Sequence, residues 1–98
     1  PELTSIHKNY PNPFNPATTI EYDLGMNEGP RQQVNLSIYN VLGQHVKTLV
    51  NEEKRIGRYT VRWFGKDEFG ASVSSGIYFA RMMTDRGIVK TRKIMLIR

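Results

Sequence analysis

Residues 34–50 read V-N-L-S-I-Y-N-V-L-G-Q-H-V-K-T-L-V, and the order of these side chains decides the fold. Val34, Leu36 and Ile38 fall on one side of an extended chain, and Asn35, Ser37 and Tyr39 on the other. A period of two is the mark of a strand with one wet face. Residues 40–44 break the alternation, and Gly43 can take the positive φ that a tight turn needs. A second extended run, residues 45–50, follows at once. Two apolar runs joined by a glycine-containing turn predict an antiparallel hairpin. A lone hairpin does not keep its apolar face from water, so further strands must cover it.

Those strands are found on both sides of the hairpin. In residues 18–24, Ile20, Tyr22 and Leu24 alternate with Thr19, Glu21 and Asp23. In residues 59–64, Tyr59, Val61 and Trp63 alternate with Thr60 and Arg62; Trp63, the one tryptophan, is expected at the centre of the core. Residues 71–75 suit a short edge strand. Residues 76–84 are apolar on both faces, with Tyr78, Ala80 and Met82 opposite Ile77, Phe79 and Met83, which predicts a central strand covered on both sides. Asp85-Arg86-Gly87 is a turn, and residues 88–98 form the last strand. Residues 25–33, 51–57 and 65–70 read as polar loops, with Asp67 in the last capping its own backbone. About seven short strands with regular turn signals and no convincing helix predict an all-β, seven-stranded antiparallel immunoglobulin-like β-sandwich. A small closed barrel is the alternative.

Upstream of these strands, residues 1–8 show no period and read as a linker. Residues 9–16, N-Y-P-N-P-F-N-P, carry Pro11, Pro13 and Pro16. Each proline fixes its own φ and pushes its predecessor towards extended geometry. This stretch is expected to be stiff and extended, to lie along a rim, and to anchor Tyr10 and Phe14 in the core.

Ninety-eight residues suit one domain, and 39% apolar residues can fill its core. There is no cysteine, so no disulfide or thiolate metal site holds the fold. No run of about 18 apolar residues exists, the length a membrane-spanning helix needs. Of the fourteen basic residues, Arg81, Arg86, Lys90, Arg92, Lys93 and Arg98 lie in residues 81–98, against the single acid Asp85. Such a tail suits phosphate, an acidic lipid surface or an acidic protein groove; its bland reading is a solvated strand face that discourages aggregation.

No chemistry-bearing constellation emerges. His7 and His45 lie in different elements, with neither a cysteine nor a second histidine at ligand spacing. The serines lack a G-x-S-x-G context, and no glycine-rich phosphate loop precedes a helix. Neither enzymatic activity nor a cofactor or metal is expected. Nucleic acid is not an expected partner, because the aromatics that would stack on bases are those the core needs.

Five motifs, N-Y-P-N-P-F-N-P-A-T-T-I-E-Y-D-L, V-N-L-S-I-Y-N-V-L-G-Q, G-R-Y-T-V-R-W, V-S-S-G-I-Y-F-A-R and K-I-M-L-I-R, occur in this order over nearly the whole chain. Together they resemble the type A C-terminal sorting domain of the type IX secretion system (Por), related to the immunoglobulin-like domain of the flagellar hook-capping protein. The resemblance implies residues 1–8 as a linker from an upstream cargo domain and residues 9–98 as the sorting domain. It implies transit through the periplasm, export across the outer membrane, and delivery to the cell surface or beyond. The implied partners are a secretion-machinery receptor and a surface sortase-like peptidase. Pro11, Pro13 and Pro16 match the family's entry segment, Gly43 its hairpin, Trp63 the end of its G-R-Y-T-V-R-W motif, and Gly76 and Tyr78 its Gly-x-Tyr pair. Lys93 and residues 94–98 match its closing basic-apolar box, of which Lys93, Ile94, Leu96, Ile97 and Arg98 are the implied recognition residues. Phe64 stands where relatives of the hook-capping type often carry Asp, so the turn cap that Asp supplies is missing.

The physical form of this reading is a folded module that presents its last strand by edge pairing or charge-complementary docking. Gly43, Gly76 and Tyr78 also have structural readings, as turn, close-packing and core residues. An edge strand also permits a weak homodimer. The competing function is a passive accessory module of a secreted enzyme, such as a spacer, an adhesion unit or a carbohydrate-binding platform. A sugar platform calls for Tyr39 and Phe64 exposed together on one flat face.

Overall fold

The computed structural model describes residues 1–13 and 16–98. In chain order the strands are β1 (Ser5–Ile6), β2 (Thr18–Leu24), β3 (Arg31–Asn40), β4 (His45–Arg55), β5 (Gly57–Trp63), β6 (Gly76–Thr84) and β7 (Val89–Leu96). They form a three-stranded sheet, β1-β2-β5, and a four-stranded sheet, β4-β3-β6-β7, with every pairing antiparallel. This is the immunoglobulin-like sandwich that the alternation predicts.

Val34, Leu36 and Ile38 of β3 are fully buried, as are Ile20 and Leu24 of β2. Burying each such side chain contributes about 1.5–3 kcal/mol. Across β3 and β6, Leu36 stands opposite Met82 and Ile38 opposite Ala80, all four facing inward. Trp63 lies at the core centre, 1% exposed, edge-to-face with Tyr78 at 5.1 Å between ring centroids. Its indole N–H donates to the Lys66 carbonyl at 2.9 Å. The Tyr78 hydroxyl donates to the Ser74 carbonyl four residues upstream at 2.7 Å, in the manner of the tyrosine corner of immunoglobulin sandwiches.

The β3–β4 hairpin closes through the Gly43 N–H to the Asn40 carbonyl and the Asn40 N–H to the Gln44 carbonyl, both 3.0 Å. Gly43 sits at φ +80°, where a Cβ would be strained. The Asn40 side-chain oxygen accepts from the N–H groups of Leu42 and Gln44.

Several expectations are corrected. Residues 1–8 are not wholly a linker: β1 pairs with β2, placing Ser5 opposite Asp23, and Ile6 enters the core. Two residues are too few to show a period. β4 runs on to Arg55 through the charged stretch expected as a loop, because residues 51–55 pair with the start of β3. Residues 71–75 form no strand; Ser72 makes an isolated bridge to Lys66. β6 is central within its sheet but covered on one face only, leaving Ile77, Phe79 and Met83 half-buried on the other. Tyr10 is 54% exposed rather than an anchor, its backbone bridged to Thr19. Phe14, the other expected anchor, lies outside the described residues. A single 3₁₀ turn, Met26–Glu28, precedes β3.

Candidate functional site

β7 is the outer strand of the four-stranded sheet, paired to β6 alone. Its alternation sorts the expected recognition residues into two groups. Ile94 and Leu96 face inward and are 0% and 1% exposed. They are corrected from receptor contacts to core residues, because period two turns every second side chain of β7 onto the opposite sheet. Lys93 and Ile97 face solvent, and so does Met95, which lies in the closing box but not among the expected recognition residues.

Arg98 is also corrected. Its guanidinium is spent on the chain's own backbone, donating to the Val73 carbonyl at 2.6 Å and to the Gly65 carbonyl. Its N–H donates to the Ser75 hydroxyl at 2.9 Å. Arg98 therefore fastens the end of the chain to the β5–β6 loop. Gly65 makes this approach feasible: it sits at φ +68°, and a Cβ there would lie 2.6 Å from the Arg98 guanidinium.

The proline segment meets the same edge. Residues 11–13 are bent where sequence alone suggested a straight run, and the peptide bonds Tyr10–Pro11 and Asn12–Pro13 are cis. Pro11, Pro13 and Pro16 are exposed. Asn9 and Thr18 hold the bend, with the Asn9 amide donating to the Thr18 hydroxyl at 2.8 Å and that hydroxyl to the Pro11 carbonyl at 2.9 Å. Asn12 then reaches β7, its side-chain oxygen accepting the Met95 N–H at 3.0 Å. Gly76, at φ +151°, occupies a backbone region nearly reserved for glycine, and a Cβ there would meet no neighbour within 4 Å. Its role is conformational, and the close-packing reading is set aside.

The outward face of the four-stranded sheet forms a shelf beside this edge. Tyr39, Phe79, Arg81, Val89 and Thr91 help line a shallow depression of about 340 Å³. The Arg81 guanidinium lies 6.0 Å from the Tyr39 ring centroid. Phe64 projects from the three-stranded sheet with Arg62 over its ring, so it and Tyr39 lie on opposite faces of the sandwich.

The remaining charged clusters are structural in geometry. Asp23 accepts from Arg58 Nε at 2.8 Å and pairs with His7 Nε2 at 2.9 Å, tying β5 and the chain after β1 to β2. The Arg58 guanidinium holds the Asp23 carboxyl below the usual carboxylate range. Glu68 accepts the Thr48 N–H at 2.9 Å, which lowers its carboxyl pKa, and its own N–H donates to the Val46 carbonyl. The 65–70 loop thus guards β4, the opposite outer strand of the sheet. Asp67 caps its own turn, accepting from the N–H groups of Phe69 and Ala71 at 2.9 Å.

Comparison with known proteins agrees with this architecture. The chain is similar in structure to part of dimeric latent PorU from Porphyromonas gingivalis, with a TM-score of 0.79 at 16% identity over 99% of this chain. It is also similar to part of PorZ, an essential bacterial surface component of the type-IX secretion system of the same organism, with a TM-score of 0.61 at 19% identity over 97% of this chain. The chain spans 9% and 11% of those two proteins, so the likeness is to one domain of each. No curated protein matches. The family model of the FlgD Ig-like domain matches residues 17–87, ending before β7. A match over more than half of the chain, on a seven-stranded sandwich, establishes that the chain belongs to the FlgD Ig-like domain family.

Proposed function

We propose that this domain is a sorting module that directs the protein carrying it across the outer membrane by the type IX secretion system. The observation that carries the reading is the solvent-facing half of the closing strand. Lys93, and Ile97 just past the strand's end, face solvent while Ile94 and Leu96 hold the strand in the core. The likeness to a domain of PorZ supports the choice of system. In this reading the module is an address with no reaction of its own. Its route is the periplasm and then the cell surface or beyond, and its partners are a secretion receptor and a surface sortase-like peptidase.

The test is export of an inert reporter fused ahead of the domain, in a host with the secretion system. Lys93→Glu and Ile97→Asp change exposed side chains and leave the core intact. Each variant is expected to leave reporter in the periplasm while melting close to the parent. Removing residues 93–98 also strips Ile94 and Leu96 from the core, so that deletion serves as the unfolded control. Export of both point variants at the parental level overturns the reading. The carbohydrate-platform form of the accessory-module alternative gains nothing from the geometry, since Tyr39 and Phe64 share no face.

A further inference from the structure

Among the described residues, no strand pairs with the outer side of β7, and its free groups fall in a defined register. The β6–β7 hairpin closes with the Thr84 N–H on the Ile88 carbonyl at 3.0 Å. In an antiparallel ladder, residues alternate between bonding the partner strand and facing away from it. Counting from that closure, Lys90, Arg92 and Ile94 bond β6, while Val89, Thr91, Lys93 and Met95 direct N–H and C=O to the free edge. The Met95 N–H, caught by Asn12, confirms the phase independently. Among the described residues, Asn12 plugs one end of this edge, and Thr91 and Lys93 meet no such cap.

The charge along the open stretch is of one sign. Arg81, Lys90, Arg92 and Lys93 take part in no ion pair among the described residues. Arg92 is half-buried at the rim, and its Nε is buried without a hydrogen-bond partner. The shelf of Tyr39 and Phe79 adjoins the same edge.

We propose that residues 89–93 accept an acidic extended segment of a partner protein as an additional strand of the four-stranded sheet. This deepens the export reading by naming the chemistry of the receptor contact, and rests on it. Backbone pairing at Thr91 and Lys93 supplies attachment. Carboxylates on the outward face of the incoming strand answer Lys93 and Arg81, and any on its other face answer Lys90 and Arg92. Asn12 stops the incoming strand short of Met95 and so sets its register. A second copy of this chain is a poor occupant, because β7 against β7 brings these same cations together without a carboxylate between them. A phosphate surface answers the charge but cannot alternate donors and acceptors along the edge.

The experiment uses the whole domain with three probes: a peptide of alternating Val and Glu, one of alternating Val and Lys, and vesicles containing an anionic phospholipid. Amide hydrogen exchange is read by NMR. The Val/Glu peptide is expected to slow exchange at Thr91 and Lys93 at least several-fold, with little change at Met95. Thr91→Pro removes an edge donor at a position where proline is tolerated; the variant has no amide at residue 91, and it should abolish the protection at Lys93. Lys93→Glu should weaken binding several-fold while the melting temperature holds. Equal protection by the Val/Lys peptide, binding to vesicles alone, or no protection at either amide overturns the proposal. Parental export without amide protection overturns strand pairing alone, whereas unchanged export in the Lys93 and Ile97 variants overturns the sorting reading itself.

Discussion

Replacing Trp63 by alanine tests the core. The indole is 1% exposed, packs edge-to-face on Tyr78, and donates to the Lys66 carbonyl. Truncating a buried aromatic of this size costs about 3–5 kcal/mol, since lost transfer energy and the remaining cavity add. A domain of this length is stable by about 5–15 kcal/mol, so the change removes a large share of the total. At about 4–8 °C per kcal/mol for a domain of this size, the melting temperature should fall by about 12 °C or more. Trp63→Phe keeps a ring against Tyr78 and loses the N–H bond, for an expected cost of about 1–2 kcal/mol. Far-UV circular dichroism during heating, paired with urea unfolding, measures both without the tryptophan signal. An alanine variant that melts with the parent, or a phenylalanine variant that falls as far as alanine, refutes the packing argument.

Two further predictions concern stability. The Asp23 carboxyl titrates lower in the fold than in the unfolded chain, so its contribution is complete above the unfolded value of about 4 and is lost as pH falls through the folded value. Acid unfolding curves should therefore drop less steeply below about pH 4 for Asp23→Asn than for the parent, and identical slopes would contradict the assignment. Gly65→Ala should cost about 1–3 kcal/mol through its φ of +68° and displace Arg98. Arg98→Ala should cost about 1–2 kcal/mol, and a double-mutant cycle should show the two losses to be non-additive, with simple additivity counting against the clamp.

Alternation made β2, the β3–β4 hairpin, β5, β6 and β7 legible, because each has a wet face or a run of large apolar residues. The rest lay outside that signal. β1 is too short to alternate, and the far half of β4, N-E-E-K-R, is charged because it pairs with the similarly polar start of β3. At the candidate site, the closing box was legible as a segment but not as a surface. K-I-M-L-I-R carries no mark of which apolar side chains turn inward until its pairing partner is known, and so Met95 was missed while Ile94 and Leu96 were included. Arg98 looked like any terminal cation; its carbonyl partners, Gly65 and Val73, are far away in sequence. The reach of Asn12 to Met95 spans 83 residues, and no local pattern announces it.

The inward residues Ile94 and Leu96 have a bearing on synthesis. β7 follows the other six strands of the sandwich in chain order, so the core lacks Ile94 and Leu96 until β7 has been made. A nascent or prematurely terminated chain exposes the inner flank of β6 in place of the finished edge. A partner that binds the finished β7 edge is thereby blind to a sandwich that has not yet closed.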